Sequence, residues 1–265
     1  MTALIAFALA AMADPAALSP SGKWTLDYGK DACRLSRDYG EGDARITAVF
    51  ERGGTGEGAA LYFILPRGQA DIPVGKATIR IEPQAITQRP YFEIWTANPT
   101  HPHRVLRTWL DADDLATLTS ATALKIDAGP VRLAIAPKVT AATLSALSKC
   151  NDDLLQGWGM DLTERDRVAT PAQPTTDRAG WITHMDYPQE ALRKGEQGMA
   201  TIIWEIDVDG RVRGCHAAVS SGSAALDDAS CRVVTTRARY RPAIGKDGKP
   251  MITHEFRRVN WSIPR

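Results

Sequence analysis

The sequence predicts an α+β protein in two parts: a mostly-β N-terminal domain with two late helices, and a smaller C-terminal domain of strands and helices in alternation. Three observations predict it. Strand-like apolar runs crowd residues 45–110, while helical spacing of leucines begins only at Asp111. A stretch poor in large apolar residues, RDRVATPAQPTTDRAG from Arg165 to Gly180, then interrupts the pattern. After it, apolar Ala200, Ile202, Trp204, Ile206 and Val208 alternate with Thr201, Glu205 and Asp207 and meet a turn at Asp209-Gly210. The expected divisions are residues 22–163, a linker at 164–180, and residues 181–265.

In the first domain, Arg45–Phe50 and Ala60–Leu65 flank ERGGTGEG and read as a hairpin. Val74–Ile81, Pro90–Trp95, Val105–Leu110 and Val131–Ala136 read as further strands. Asp111–Leu124 reads as a helix, because DADD supplies capping carboxylates and Leu115, Leu118 and Ala121 follow at helical spacing. Thr140–Trp158 is the second helix, with Leu144, Leu147, Cys150 or Asn151, and Leu154 on one stripe.

In the second domain, Tyr187-Pro188-QEALRK-Gly195 is a short helix with Pro at its first turn and Gly past its end. Ala200, Ile202, Trp204, Ile206 and Val208 give the next strand one buried face. Asp209-Gly210 predicts a type I′ turn. The strand Arg211–Val219 loses its apolar phase near Gly214, which predicts a bulge. Ala225–Arg239 is a helix with Asp227 and Asp228 at its positive end and Arg237 and Arg239 at its negative end. Lys246-Asp247-Gly248-Lys249 is a turn, and Met251–Ile263 a last strand whose phase shifts between Phe256 and Val259.

The apolar share of 44% with 24% charged residues is that of a globular protein able to bury a core. The net charge of +1, with Lys and Arg scattered, argues against nucleic acid. Residues 1–13 read as a secretory signal peptide: Met1–Met12 is short and apolar, and Ala11-Met12-Ala13 is a cleavage pattern before Asp14. They depart from it in lacking a Lys or Arg, the first being Lys23; an ordinary buried helix or a ragged terminus is the alternative reading. No later stretch approaches the ~20 apolar residues of a membrane span, so membrane contact is expected only if the leader is retained. Export to the periplasm permits disulfides among Cys33, Cys150, Cys215 and Cys231. Three pairings are open, besides four buried thiols; Cys33–Cys150 with Cys215–Cys231 keeps each bridge within one half of the chain.

The run from Tyr187 to Pro250 resembles the C-terminal domain of TonB-like proteins. The matching residues are Tyr187-Pro188, Gly195, Gly198, Asp209-Gly210, Val212, Ser220-Ser221-Gly222, Leu226-Asp227, Arg239-Tyr240, Pro242-Ala243 and Gly248. The resemblance covers about a third of the chain. It implies a three-stranded antiparallel sheet packed on a helix, and a protein partner that binds as an extended segment. In that family the partner is a segment of an outer-membrane TonB-dependent receptor. Such a segment can add as a strand to an open sheet edge. The expected edge is the last strand, with Thr253, Glu255, Phe256, Arg257, Asn260 and Trp261 as binding residues. Of four tryptophans that could form an aromatic surface, Trp158, Trp181, Trp204 and Trp261, the last is the candidate for exposure. The first domain resembles segments fused to TonB-type domains in exported alphaproteobacterial proteins, through Cys33-Arg34 and the LL-x-x-WG-x-D run at Leu154–Asp161. An energy-transducing TonB carries an N-terminal membrane helix and a long Pro-rich spacer. Here a globular domain stands in their place, so an energy transducer anchored by a retained leader is the second reading. An exported enzyme with its activity in the first domain is the third.

No catalytic residues, cofactor or metal are expected. GGTGEG at Gly53–Gly58 lacks the GK[ST] ending of a phosphate loop. His101-Pro102-His103, with Asp111, Asp113 and Asp114 nearby, has no recognised metal spacing. The Asp207-Val208-Asp209-Gly210 stretch lacks the twelfth-position Glu of a calcium loop, since that position is Ala218. Ser220-Ser221 with His216 or His184 and Asp227 lacks the G-x-S-x-G elbow and reads as a strand-to-helix turn. Cys215 and Cys231 lie at no helix N-terminus that would lower a thiol pKa.

Overall fold

The computed structural model describes residues 14–54, 58–66, 72–83, 85–96, 103–129 and 131–263. The expected signal peptide, half of the GGTGEG loop and His101-Pro102 lie outside the described residues. The chain divides into two units. The first comprises the described residues up to Asp27, Arg34–Glu51, and the described residues from Gly58 to Ala146; the second takes short stretches beginning at Tyr28 and Arg52 and then everything from Leu147.

The first unit is built on a nine-stranded sheet. Its elements are β1 (Thr25–Tyr28), β2 (Cys33–Tyr39), β3 (Ile46–Arg52), β4 (Ala59–Leu65), β5 (Ile72–Glu82), β6 (Ala85–Thr96), β7 (Arg104–Leu110), α1 (Ala112–Thr117), β8 (Ala123–Ala128), β9 (Val131–Ile135) and the start of α2 (Ala141–Gly157). The strand order is β1-β2-β3-β4-β7-β6-β5-β8-β9. Period-two alternation makes the core. Leu61 and Phe63 of β4 face inward beside Thr108 and Leu106 of β7, while Tyr62 and Arg107 pair on the outer face. The sheet curls, and the chain before β1 closes it: Leu18 exchanges backbone bonds with Ala134 and Ala136, while Ser19 and Ser21 bond Gly40 and Asp38.

The helix expected at Asp111–Leu124 stops at Thr117. Its capping box is present, with Asp111 accepting from the Asp114 amide. Beyond it, Thr119 and Ser120 turn their hydroxyls onto the carbonyls of Ala116 and Thr117. Ala123 and Leu124 then begin β8, where Leu124 is fully buried between Ile81 and Ile135. Sheet pairing on both sides outweighs helical spacing here. β1 and β2 were not anticipated, because Arg34, Ser36 and Arg37 mask the buried set of Cys33, Leu35 and Tyr39.

The second unit continues from α2 through α3 (Glu164–Arg167), β10 (Val168–Thr170), β11 (Gln173–Pro174), α4 (Gln189–Lys194), β12 (Gly198–Ile206), β13 (Val212–Val219), α5 (Ala224–Arg237), β14 (Tyr240–Arg241), β15 (Ala243–Gly245), β16 (Pro250–Met251) and β17 (Thr253–Trp261). Its main sheet is antiparallel, in the order β13-β12-β17. Helix α5 starts at Ser223, whose hydroxyl accepts from the Leu226 amide. It buries Leu226, Ala229, Val233 and Val234. With Trp181, Tyr187 and Ala191 it covers the face of the sheet that carries Ala200, Ile202, Trp204, Ile206, Val259 and Trp261. Helix α4 ends at Gly195 in the left-handed region, as its sequence requires.

β12 is buried on both faces. Ile203 points away from α5 into a second cluster with Leu155, Trp158 and Met160, joined by Phe256. The end of α2 therefore roofs the far side of the sheet, and the division of the chain falls at Leu147 rather than at residue 163. The apparent phase shift in the last strand has the same cause. β17 pairs with β12 in unbroken register, but Phe256 serves one core and Val259 and Trp261 the other.

Residues 164–180 are not a free linker. Val168 and Thr170 pair with Gly245 and Ile244, and Gln173 and Pro174 with Arg241 and Tyr240. Polar composition hid this because backbone pairing at a surface needs no apolar side chain. The β12–β13 turn also differs from type I′, which would put Asp209 at positive φ. Only Gly210 is left-handed there, at φ +74°. The Asp207 carboxylate accepts from the amides of Asp209 and Arg211 and holds a three-residue loop.

Both bridges of the local cysteine pairing are formed. Cys33–Cys150 has Cα atoms 6.0 Å apart, and Cys215–Cys231, 5.5 Å apart, ties β13 to α5.

Candidate functional site

A strand at a sheet border leaves every second residue's N–H and C=O pointing outward. The sheet of the second unit has two borders, β13 and β17. β13 is blunted: its register slips twice, between Thr201 and Ile202 and between Ile203 and Glu205, with Gly214 at φ +59° in the second slip. The bulge expected near Gly214 is thus present, and bulges spoil a border for further pairing. β17 carries nine residues in continuous register, from Thr253 opposite Ile206 to Trp261 opposite Gly198. The amide of His254 donates outward, to Glu164 Oε2 at 2.9 Å. By alternation the outward set is His254, Phe256, Arg258 and Asn260. Among the described residues no strand pairs with that side of β17.

The side chains named from sequence behave less uniformly. Asn260 is exposed. Glu255 forms an ion pair with Arg178, and Arg257 donates to the Arg178 carbonyl at 2.7 Å. Phe256 stacks on Trp158 with ring centroids 5.7 Å apart. Thr253 is buried, and Trp261 is 3% exposed, its indole N–H donating to Ser230 Oγ and its ring set edge-on to Tyr187. Trp261 is therefore core and not surface. Strand parity places it on the α5 face beside Ala200 and Ile202. Trp158, Trp181 and Trp204 are buried as well.

Two residues of this border were not foreseen, Glu164 and His254. The Glu164 carboxylate touches both the amide and Nδ1 of His254. That contact raises the imidazole pKa, against the effect of its burial. Glu205 on β12 faces Nε2 at 3.8 Å, and Asp161 adds its field. The only sequence trace was an acid at the start of a supposed linker and a histidine alternating with Thr253 and Glu255. A cavity of about 460 Å³ opens beside this point, walled by Met160, Leu162, Glu164, Val168, Thr253 and Glu255. Burial and Glu255 push the Tyr240 phenol pKa up.

The hydrolase-like residues form a turn. Asp227 accepts from Ser221 Oγ at 2.7 Å, from the Ser221 amide at 2.8 Å and from Ser220 Oγ, while His216 Nδ1 meets the Gly214 carbonyl. His103 is exposed. Among the described residues no cluster of three or more His, Cys, Asp or Glu side chains could hold a metal, and no helix is long and apolar enough to cross a membrane.

No match to the chain was found among curated proteins. The family model described as Gram-negative bacterial TonB protein C-terminal matches residues 183–263, which take in α4, the whole β13-β12-β17 sheet and α5. The second unit therefore contains a TonB-type C-terminal domain, from residue 183 to residue 263.

Proposed function

We propose that the chain is a non-enzymatic, TonB-like binding protein of the Gram-negative cell envelope, which pairs by strand addition with periplasmic segments of outer-membrane TonB-dependent receptors. The observation that carries this reading is β17, a border strand of unbroken register in a sheet whose other border is bulged. An incoming segment would bond through its main chain to the outward groups of Phe256 and Asn260, and its alternate side chains would set selectivity. The two disulfides support an oxidising compartment and hence export. The test is amide hydrogen exchange of the full chain with a panel of synthetic receptor periplasmic peptides. Protection of residues 256 and 260 is expected; exchange left unchanged by every peptide overturns the reading. Sequencing the mature N-terminus tests export, with Asp14 as the expected first residue.

A further inference from the structure

Residues 161–178 touch β17 at two places, the first on its outer edge and the second through side chains on one face of the strand. At the first, the Glu164 carboxylate accepts from the outward amide of His254, the position where the carbonyl of an added strand would sit. At the second, Arg178 pairs with Glu255, and its carbonyl accepts from Arg257. Between the grips the stretch is tied down by pairing of β10 with β15 and β11 with β14. We propose that this stretch is an intramolecular occupant of the β17 border, a strap whose Glu164–His254 clasp competes with an incoming strand for the first half of β17. The proposal rests on the strand-addition reading above and adds to it a gate.

The physical case has three parts. Glu164 is 9% exposed, so its carboxylate is committed to this contact rather than to solvent. The helix that carries it, α3, is one turn long, too short to hold its own shape without the clasp and the pairing around it. The cavity of about 460 Å³ between Leu162, Val168 and Thr253 leaves room for that turn to shift. The groups that face His254 are all acidic: Glu164 on α3, Asp161 just before it and Glu205 on β12. A protonated imidazole is favoured there, so the clasp is tighter when His254 is charged. As pH rises through the raised pKa of His254, the charge is lost and the clasp loosens.

The test uses the full chain with wild-type residues, Glu164→Ala, Glu164→Gln and His254→Gln. Without any peptide, Glu164→Ala is expected to speed amide exchange at His254 about tenfold, while Val259, whose amide faces β12, is unchanged. Glu164→Gln keeps an oxygen acceptor and is expected to fall between the two. In the wild type the His254 amide is expected to gain exchange with pH beyond the ordinary base-catalysed increase, and in His254→Gln position 254 is not. With the receptor peptides, Glu164→Ala is expected to bind about tenfold tighter. Unchanged exchange at His254 in a folded Glu164→Ala chain overturns the clasp. Faster exchange with no gain in peptide affinity, while bound peptide still protects β17, overturns the gate. If no peptide binds any variant, the strand-addition reading fails, and the exchange measurements alone decide the clasp.

Discussion

Ile203 and Trp204 are neighbours on β12, and they are buried in different cores, Ile203 against Trp158 and Trp204 beneath α5. The domain is thus a three-layer object: α5 on one side of the sheet, the end of α2 on the other.

Trp158→Ala is expected to destabilise the second unit by about 3 kcal/mol, the usual cost of removing a buried tryptophan. Trp158 is 7% exposed and stacked on Phe256, so little of its area is regained elsewhere. Exchange of the β12 amides reads the loss. Stability equal to wild type would mean that this face is not a core.

Gly210→Ala is expected to cost more than about 1 kcal/mol. The residue is left-handed at φ +74°, and an added Cβ would stand 1.9 Å from the Tyr240 carbonyl oxygen. The Gly210 carbonyl also accepts from the Tyr240 amide at 2.9 Å, so the loop cannot retreat without breaking that bond. Thermal melting and exchange at Tyr240 check both effects.

The paired change Cys215→Ala and Cys231→Ala is expected to remove about 3 kcal/mol, the loop-entropy value for a short closed loop. The bridge spans 16 residues. It is the only covalent tie on β13, so exchange along β13 should rise more than along β17 in the same sample.

Two titrations act with opposite sign. Arg237 grips Asp186 with both terminal guanidinium nitrogens, Nη2 at 2.6 Å and Nη1 at 2.7 Å, and lowers its carboxyl pKa. The stability from this pair is present above the unfolded carboxyl pKa of about 4 and is lost as pH falls through the folded value. His254 has a raised pKa, so its contribution is complete below about 6.5 and is lost as pH rises through the folded value. Arg237→Met should therefore flatten the acid limb, and His254→Gln the alkaline limb, of a stability curve taken from about pH 3 to about pH 9 by urea unfolding.

The strands of the first sheet were legible as apolar runs more than as alternation, since Tyr62 and Ile64 on the outer face of β4 are apolar too, beside the buried Leu61, Phe63 and Leu65. The caps and turns were legible too: Asp111 with Asp114, Pro188 with Gly195, and the bulge at Gly214. β17 misled because Phe256 and Val259 serve opposite cores, which made Trp261 look like surface. The strap was missed for another reason. Its grip on the border depends on Glu164 meeting His254 across 90 positions, a relation that composition does not carry.

The roof that α2 lays over Ile203 and Phe256 bears on how the protein can be cut. A fragment beginning at residue 183 would keep every residue matched by the family model yet leave an oily floor open to water. Such a fragment should self-associate through that floor. The smallest piece able to stay monomeric would have to reach back to Leu147 and bring its own lid.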